Sequence, residues 1–178
     1  MRQLIKFSLF DAGNSVFPML VLSALTSSYF VNHIVADEQL GTALWQLTIG
    51  IAGIFIALVM PYIGNLADNM INGRLKLLRL FTFLCILFVG CFYFILPNQE
   101  YVLTALVILF LGSVTYEASN SLYNSIMKNC STSNLTLSSG IGFGTGFLGG
   151  VLILVLLLYT LILPQPNLFG ISMDNYLH

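Results

Sequence analysis

A stripe of polar residues stands out near the end of a long apolar stretch, because its members share one helical face. Glu117, Asn120 and Asn124 lie three and four residues apart, and Ser121 and Lys128 continue the same face. A lone carboxylate inside a membrane must be protonated, paired or facing water. The stripe therefore predicts a path for a polar substrate, with Glu117 best suited to carry a proton. The alternative is an amphipathic turn outside the membrane.

A shorter polar stripe lies near the N-terminus, where Asp11, Asn14, Ser15 and Pro18 occupy one helical face. Asn14 and Ser15 are predicted to line the same substrate path. Asp11 has two interpretations. A helix that leaves the membrane near Phe30 would place Asp11 about 29 Å deeper, at the opposite boundary, where it could equally be a capping residue.

Glycines form a third pattern. Gly142, Gly146 and Gly150 recur every four residues in the segment SSGIGFGTGFLGG, which is the spacing of a face that lets another helix approach closely. We therefore predict a role in helix packing, and the alternative is that the face lets two helices rock during transport. Gly50 and Gly53 indicate a similar close contact earlier in the chain.

Other kinds of chemistry find no support in the sequence. An enzyme or a metal site would need His, Cys or carboxylate groups clustered at one depth, and the 2 histidines and 3 cysteines show no such spacing. We therefore predict no enzymatic activity, no catalytic residue, no bound metal and no cofactor. A net charge of -1 gives no field that would attract nucleic acid.

Five apolar runs must position these residues. The chain is 57% hydrophobic and 7% charged, against about 25% charged residues in a soluble domain. Each run is long enough for the roughly 20 residues that cross a hydrocarbon core, and a backbone in lipid must satisfy its own hydrogen bonds. We therefore predict an all-α membrane protein, a single transmembrane bundle over residues 1–178. Its five transmembrane helices are expected at residues 12–35, 42–64, 77–96, 101–127 and 138–163.

The charges are sorted between the two ends of these runs. Every basic residue falls on one face: Arg2, Lys6, Arg74, Lys76, Arg79 and Lys128. The other face carries only acidic residues: Asp37, Glu38, Glu100 and Asp174. Because basic residues mark the cytoplasmic side, we predict a cell-membrane protein with its N-terminus inside and its C-terminus outside. Trp45, near the outer end of the second run, is typical of an interfacial aromatic belt.

The connection between the second and third runs carries a recognisable motif. Its sequence GNLADNMINGR resembles the G-x-L-A-D-R-x-G-R-K signature of major facilitator transporters. The resemblance implies a gating role for Gly64, Asp68 and Arg74: the glycine lets helix ends approach, the aspartate faces helix N-terminal amides, and the arginine holds the gate. Asn69 stands where the family has arginine, and the glycine-arginine pair comes two residues late.

Three further segments narrow this resemblance to the vacuole-effluxer-like branch. FDAGNSVFP resembles the branch's Y-D-x-A-N-S-x-F opening, GTALWQLTIGIAGIFIALVMPYIGNLAD its second span, and LYNSIM with LSSGIGFGTGFLGG its later segments. The resemblance implies secondary transport of a small polar solute, such as an amino acid, by alternating access. Such transporters have twelve spans in two six-helix halves.

Five spans are fewer than one such half requires. We therefore expect an incomplete N-terminal six-helix half, whose partners are the lipid bilayer, a small-molecule substrate and the missing C-terminal half of the transporter. The alternative is a non-transporting membrane assembly partner or an inactive truncated remnant. The repeated glycines favour that alternative because they suit helix association.

Overall fold

The computed structural model describes residues 10–130 and 135–162, and these residues are helical apart from short turns. The helices are α1 (Phe10–Val35), α2 (Glu38–Asn69), α3 (Gly73–Cys91), α4 (Val102–Cys130) and α5 (Leu135–Leu157). Within α1, the segments Phe17–Ala24 and Phe30–Val35 are π-helical, as is Leu158–Ile162 after α5. Short 3₁₀ turns cover Phe92–Phe94 and Gln99–Tyr101. The prediction of an all-α fold is confirmed.

Four stretches within the described part of the chain are long and apolar enough to cross a membrane. They are Phe10–Val35, Glu38–Asn69, Gly73–Phe94 and Gln99–Ile126, which match the first four predicted spans. The fifth predicted span corresponds to α5 and the π-helical segment that follows it, whose apolar part Gly144–Thr160 is shorter, and residue 163 lies outside the described residues. With 32 residues, α2 is about 48 Å long, so its two ends extend beyond a core of about 30 Å.

The chain divides into two compact units. One unit contains Met1–Leu20 and Thr136–His178, of which residues 10–20 and 136–162 are described. The other is Val21–Leu135. Each unit is coherent in itself, and the single bundle predicted over residues 1–178 stays a prediction.

In the second unit, α4 packs along both α2 and α3 and is the most buried of the helices. Its buried residues Ala105 and Leu109 meet the end of α1 and the start of α2 in one apolar cluster. The cluster also contains Phe30, Ile34, Val35, Trp45 and Ile95. This packing holds the end of α1 against α2 and α4.

Trp45 lies inside this cluster rather than at its edge. Its side chain is 1% exposed, and its ring centroid is 5.2 Å from that of Phe30 and 6.5 Å from that of Phe92. The indole Nε1 donates a hydrogen bond to the backbone carbonyl of Leu22 at 3.1 Å. The prediction of an aromatic-belt role is therefore wrong, because a belt residue faces the lipid-water boundary and Trp45 is enclosed by other helices.

The turn between α1 and α2 is short and well capped. Ala36 adopts the left-handed conformation with φ 56°, and its N–H bonds to the carbonyl of Val31 at 3.1 Å. Asp37 then caps α2, since its side chain accepts a hydrogen bond from the Leu40 N–H at 2.9 Å. These bonds place the two helices side by side directly after the turn.

Close contact between α1 and α2 depends on Gly41. A Cβ added there would lie 3.1 Å from the Cα of Val31, whereas a Cβ at Gly50 or Gly53 would have no neighbour within 4 Å. The expectation that Gly50 and Gly53 permit close helix contact is therefore wrong within the second unit. Spacing alone could not separate a glycine in contact from a glycine on an open face.

The outward surfaces of the helices are apolar, which is the pattern of a protein solvated by lipid. Exposed leucines, isoleucines and aromatic residues recur along α2, α3, α4 and α5. They include Leu47, Ile54, Leu58, Phe83, Ile86, Leu103, Leu152 and Leu156. The structure therefore agrees with the composition in indicating helices that face hydrocarbon.

Candidate functional site

The polar stripe of α4 lies on the side of the helix that is not closely packed. Glu117 and Asn120 are half-buried and Asn124 is exposed, while Ala118 and Leu122 between them are buried against other helices. Glu117, Asn120 and Asn124 form no hydrogen bond or ion pair with any other residue that the structure describes. The side chain of Lys128 lies outside the described residues.

The polar residues of α1 belong to the first unit and have a different environment. Asn14 and Ser15 are half-buried, and the Ser15 hydroxyl donates a hydrogen bond to the backbone carbonyl of Asp11 at 2.9 Å. A Cβ added at Gly146 of α5 would lie 2.8 Å from both Asp11 Oδ2 and Ser15 Oγ. Asp11 and Ser15 therefore contact the α5 backbone, which leaves Asn14 as the less engaged residue of the predicted path.

The glycines of α5 approach α1 closely within the first unit. A Cβ at Gly149 would lie 2.7 Å from Ala12 Cβ and 3.1 Å from Ala12 Cα, and one at Gly150 would lie 2.5 Å from Met19 Sδ. Together with Gly146, these residues form the glycine contact face. Gly142 lies in α5, but its surroundings are outside the described residues. Gly149 was not predicted to be a packing residue, although two consecutive glycines are visible in the sequence at 149–150.

The gating motif forms an ion pair in the second unit. Asp68 Oδ1 is 2.8 Å from Arg74 Nη2 and also accepts a hydrogen bond from Arg74 Nε at 2.8 Å. Asp68 ends α2 and Arg74 begins α3, so the pair bridges the turn between the two helices. The carboxylate thus bonds to the arginine of its own turn.

The close backbone approach in this turn occurs at Gly73 and not at Gly64. A Cβ at Gly64 would meet nothing within 4 Å, whereas one at Gly73 would collide with the carbonyl oxygen of Ala67 and lie 2.8 Å from Met70 Cβ. Asn72, in the left-handed conformation with φ 55°, turns the chain sharply just before α3. The glycine that directly precedes the arginine is therefore the one that the local backbone requires.

Replacing Arg74 with Gln should reduce stability only slightly, because the ion pair is solvated. Arg74 and Asp68 are 37% and 57% exposed, and such pairs contribute less than about 1 kcal/mol. Thermal unfolding of the purified chain in lipid bicelles, followed by circular dichroism, measures the change. Lys76→Gln, which removes a nearby charge, is the control. A large loss confined to Arg74→Gln would show that the pair holds the two helices together.

A cavity that was not predicted from the sequence lies between the second half of α1 and the start of α2, within the second unit. Its volume is about 430 Å³, and Leu22 and Trp45 line its apolar part. Its polar lining consists of Ser23, Ser27, Ser28, Asn32, Thr42 and Gln46, with Glu38 beside them. The dense hydroxyls of SALTSSYFVN were the available signal, but only the packing brings them opposite Thr42 and Gln46.

A metal ion is held by several ligating side chains that lie close together. The described part of the chain contains no cluster of three or more His, Cys, Asp or Glu side chains. The absence of a metal, a cofactor and enzymatic activity stays a prediction.

These long apolar helices, with polar residues confined to particular faces, define an integral membrane protein. The family model described as "Vacuole effluxer Atg22 like" matches residues 31–129, more than half of the chain. The chain belongs to this family, which confirms the resemblance drawn from its motifs. Neither a curated protein nor a solved structure matches the chain.

The matched region contains the gating motif, the polar stripe of α4 and the α2 side of the polar cavity, whose residues Leu22, Ser23, Ser27 and Ser28 precede the match. Two motifs that contributed to the resemblance, FDAGNSVFP and LSSGIGFGTGFLGG, lie outside it. The match therefore lies within the second unit.

Proposed function

We propose that this chain is the N-terminal part of a secondary transporter of the major facilitator type. It moves a small polar solute, such as an amino acid, across the membrane by alternating access. The lipid bilayer, the small-molecule substrate and a C-terminal half of the transporter are its partners. The N-terminus faces the cytoplasm and the membrane is the cell membrane, in agreement with the one-sided distribution of basic residues.

The polar stripe of α4 supports this proposal most directly. Glu117 is half-buried within a membrane-spanning segment and has no partner among the described residues. Unpaired ionisable residues in spans are costly, so they are retained where they face water or a substrate. Asn120 and Asn124 supply amide donors and acceptors on the same face. In the proposed path, Asn14 and Ser15 of α1 serve the same purpose.

Replacing Glu117 with Gln should abolish proton-driven uptake. The amide keeps the size of the side chain but cannot take up and release a proton, so a pH gradient can no longer drive solute across. The complete transporter polypeptide is reconstituted into proteoliposomes, and uptake of a radiolabelled amino-acid mixture is measured with and without an imposed pH gradient. We expect at least a tenfold loss of the gradient-dependent component, while exchange without a gradient persists.

Glu100→Gln is the matched control, since Glu100 is an exposed carboxylate in the turn before α4. It should leave uptake unchanged. An unaltered response to the pH gradient in Glu117→Gln would remove Glu117 from proton coupling. Failure of the unsubstituted protein to take up or exchange any solute would contradict transport itself and favour an assembly role.

A further inference from the structure

The polar cavity between α1 and α2 is placed where a membrane protein would normally present apolar side chains. Both helices are membrane-spanning segments, and six polar residues line the cavity in the part of each helix next to the α1–α2 turn. Ser28, Asn32, Thr42 and Gln46 are exposed rather than packed against other residues. This cavity is distinct from the polar stripe of α4.

Where this lining extends deeper along the helices, as at Gln46 and Ser23, it is too polar to face hydrocarbon. Each unsatisfied hydrogen-bonding group in hydrocarbon costs several kcal/mol, and polar residues in spans face protein or water. Thr42 and Gln46 form no side-chain hydrogen bond with the residues described here. The two helices therefore do not supply hydrogen-bond partners for these side chains, which require water or a ligand to complete their hydrogen bonds.

The existing hydrogen bonds leave several acceptor atoms of the lining without a donor. Asn32 Nδ2 donates to Ser28 Oγ at 3.1 Å, which uses a donor of the amide and leaves its oxygen available. Ser27 Oγ donates to the backbone carbonyl of Ser23 at 2.9 Å, which leaves the lone pairs of the hydroxyl. The carboxylate of Glu38 adds two more acceptor oxygens. The lining therefore offers free acceptors beside the donors that the amide of Gln46 and the hydroxyl of Thr42 retain.

The charge at the cavity also favours a cation. Glu38 is the charged residue of its lining, and the sequence has no Lys or Arg between Lys6 and Arg74. The N-terminus of α2 would attract an anion, but the Asp37 carboxylate already accepts the Leu40 N–H at 2.9 Å. An ammonium group donates several hydrogen bonds and pairs with a carboxylate, so it complements this lining.

We propose that this cavity is a binding site for a small organic ammonium compound, with Glu38 pairing its charge and Gln46 and Thr42 contacting its polar groups. A volume of about 430 Å³ accommodates a molecule of that size. The site lies at the end of α1 and α2 that carries Asp37 and Glu38, opposite the Asp68–Arg74 pair. The inference rests on the proposed function, because it takes the bound ammonium compound to be the transported substrate, held either during transport or as it enters.

The first test compares two neighbouring positions on α2. Gln46 lines the cavity, whereas Leu47 is 60% exposed and does not line it. Gln46→Cys and Leu47→Cys variants of the chain, held in lipid nanodiscs, are treated with the membrane-impermeant reagent 2-(trimethylammonio)ethyl methanethiosulfonate. Labelling at each position is followed by peptide mass spectrometry, so the native cysteines stay in place. We expect Gln46→Cys to react at least tenfold faster, because its thiol faces water and that of Leu47→Cys faces lipid.

The second test uses ethanolamine as the probe. Ethanolamine should slow the labelling of Gln46→Cys in a saturable manner, and an equal concentration of acetate should not. Adding Glu38→Gln to Gln46→Cys should weaken the protection at least tenfold, while Glu100→Gln should leave it unchanged. Elution as a single species from size-exclusion chromatography confirms that each variant is folded.

The outcomes separate this site from transport. Equal labelling at the two positions, or protection that survives Glu38→Gln, would overturn the ammonium site. Protection that depends on Glu38, in a protein that transports nothing in proteoliposomes, would support the site and contradict the proposed function. Proton-driven uptake without any protection of Gln46→Cys by ethanolamine would support the proposed function and contradict the ammonium site.

Discussion

Replacing Trp45 with Ala should lower the free energy of unfolding by about 3 kcal/mol, at the lower end of the range for large aromatic residues in soluble cores. Trp45 is 1% exposed and contacts the rings of Phe30 and Phe92, so its removal leaves a cavity at the junction of α1, α2 and α4. The value lies at the lower end because apolar residues gain less from burial when lipid, rather than water, surrounds the protein.

Two controls separate packing from hydrogen bonding. Trp45→Phe keeps a ring in the cluster but leaves the Leu22 carbonyl without the indole donor, so a loss of about 1 kcal/mol is expected. Leu47→Ala truncates a side chain that is 60% exposed on the same helix and should have little effect. Because the chain has 1 tryptophan, replacing Trp45 removes the fluorescence signal that could report unfolding. Unfolding is therefore followed by circular dichroism during titration with sodium dodecyl sulfate. Similar losses in Trp45→Ala and Leu47→Ala would contradict a central packing role.

Replacing Gly149 with Ala should destabilise the first unit by about 1–2 kcal/mol. The added methyl would lie 2.7 Å from Ala12 Cβ and 3.1 Å from Ala12 Cα, so a helix backbone must move to make room. Gly150→Ala should have a smaller effect, because the nearest atom is the sulfur of Met19, which can rotate away. The same detergent titration measures each loss.

Gly144→Ala is the matched control in the same helix, and its effect should have the opposite sign. A Cβ at Gly144 would have no neighbour within 4 Å, so the substitution adds helix propensity without a clash. An increase in stability of about 0.5–1 kcal/mol is expected. If Gly144→Ala and Gly149→Ala shift stability equally, the contact between α5 and α1 does not depend on glycine at position 149.

Glycines with similar spacing in the sequence can have very different surroundings in the structure. Gly146 and Gly150 were expected at a packing face from their spacing, and the structure places them beside α1. Gly50 and Gly53 shared a similar signal, but they lie on an open face of α2. Helical spacing identifies residues that share a face, and the partner of that face depends on how the helices are arranged.

The candidate site likewise combines residues that the sequence identified with contacts that only the packing of the helices created. The stripe from Glu117 to Asn124 was visible in the sequence because polar residues are rare in apolar runs, and it does lie on the less packed side of α4. Asp11 was ambiguous in the sequence, and the structure places its carboxylate against the backbone of α5 at Gly146. The cavity lined by Asn32 and Gln46 went unrecognised because its residues come from two different helices.

The sequence by itself determined the all-helical fold, the four long apolar helices and the family, because crossing lipid leaves a backbone few alternatives and requires long apolar runs. Tertiary structure alone decided that Trp45 is enclosed rather than interfacial, that Gly41 and Gly149 mark close helix contacts, and that hydroxyls of α1 meet Gln46 across a cavity. The physical reason is that burial and contact depend on how each helix is rotated about its axis, which is set by the surfaces of its neighbours.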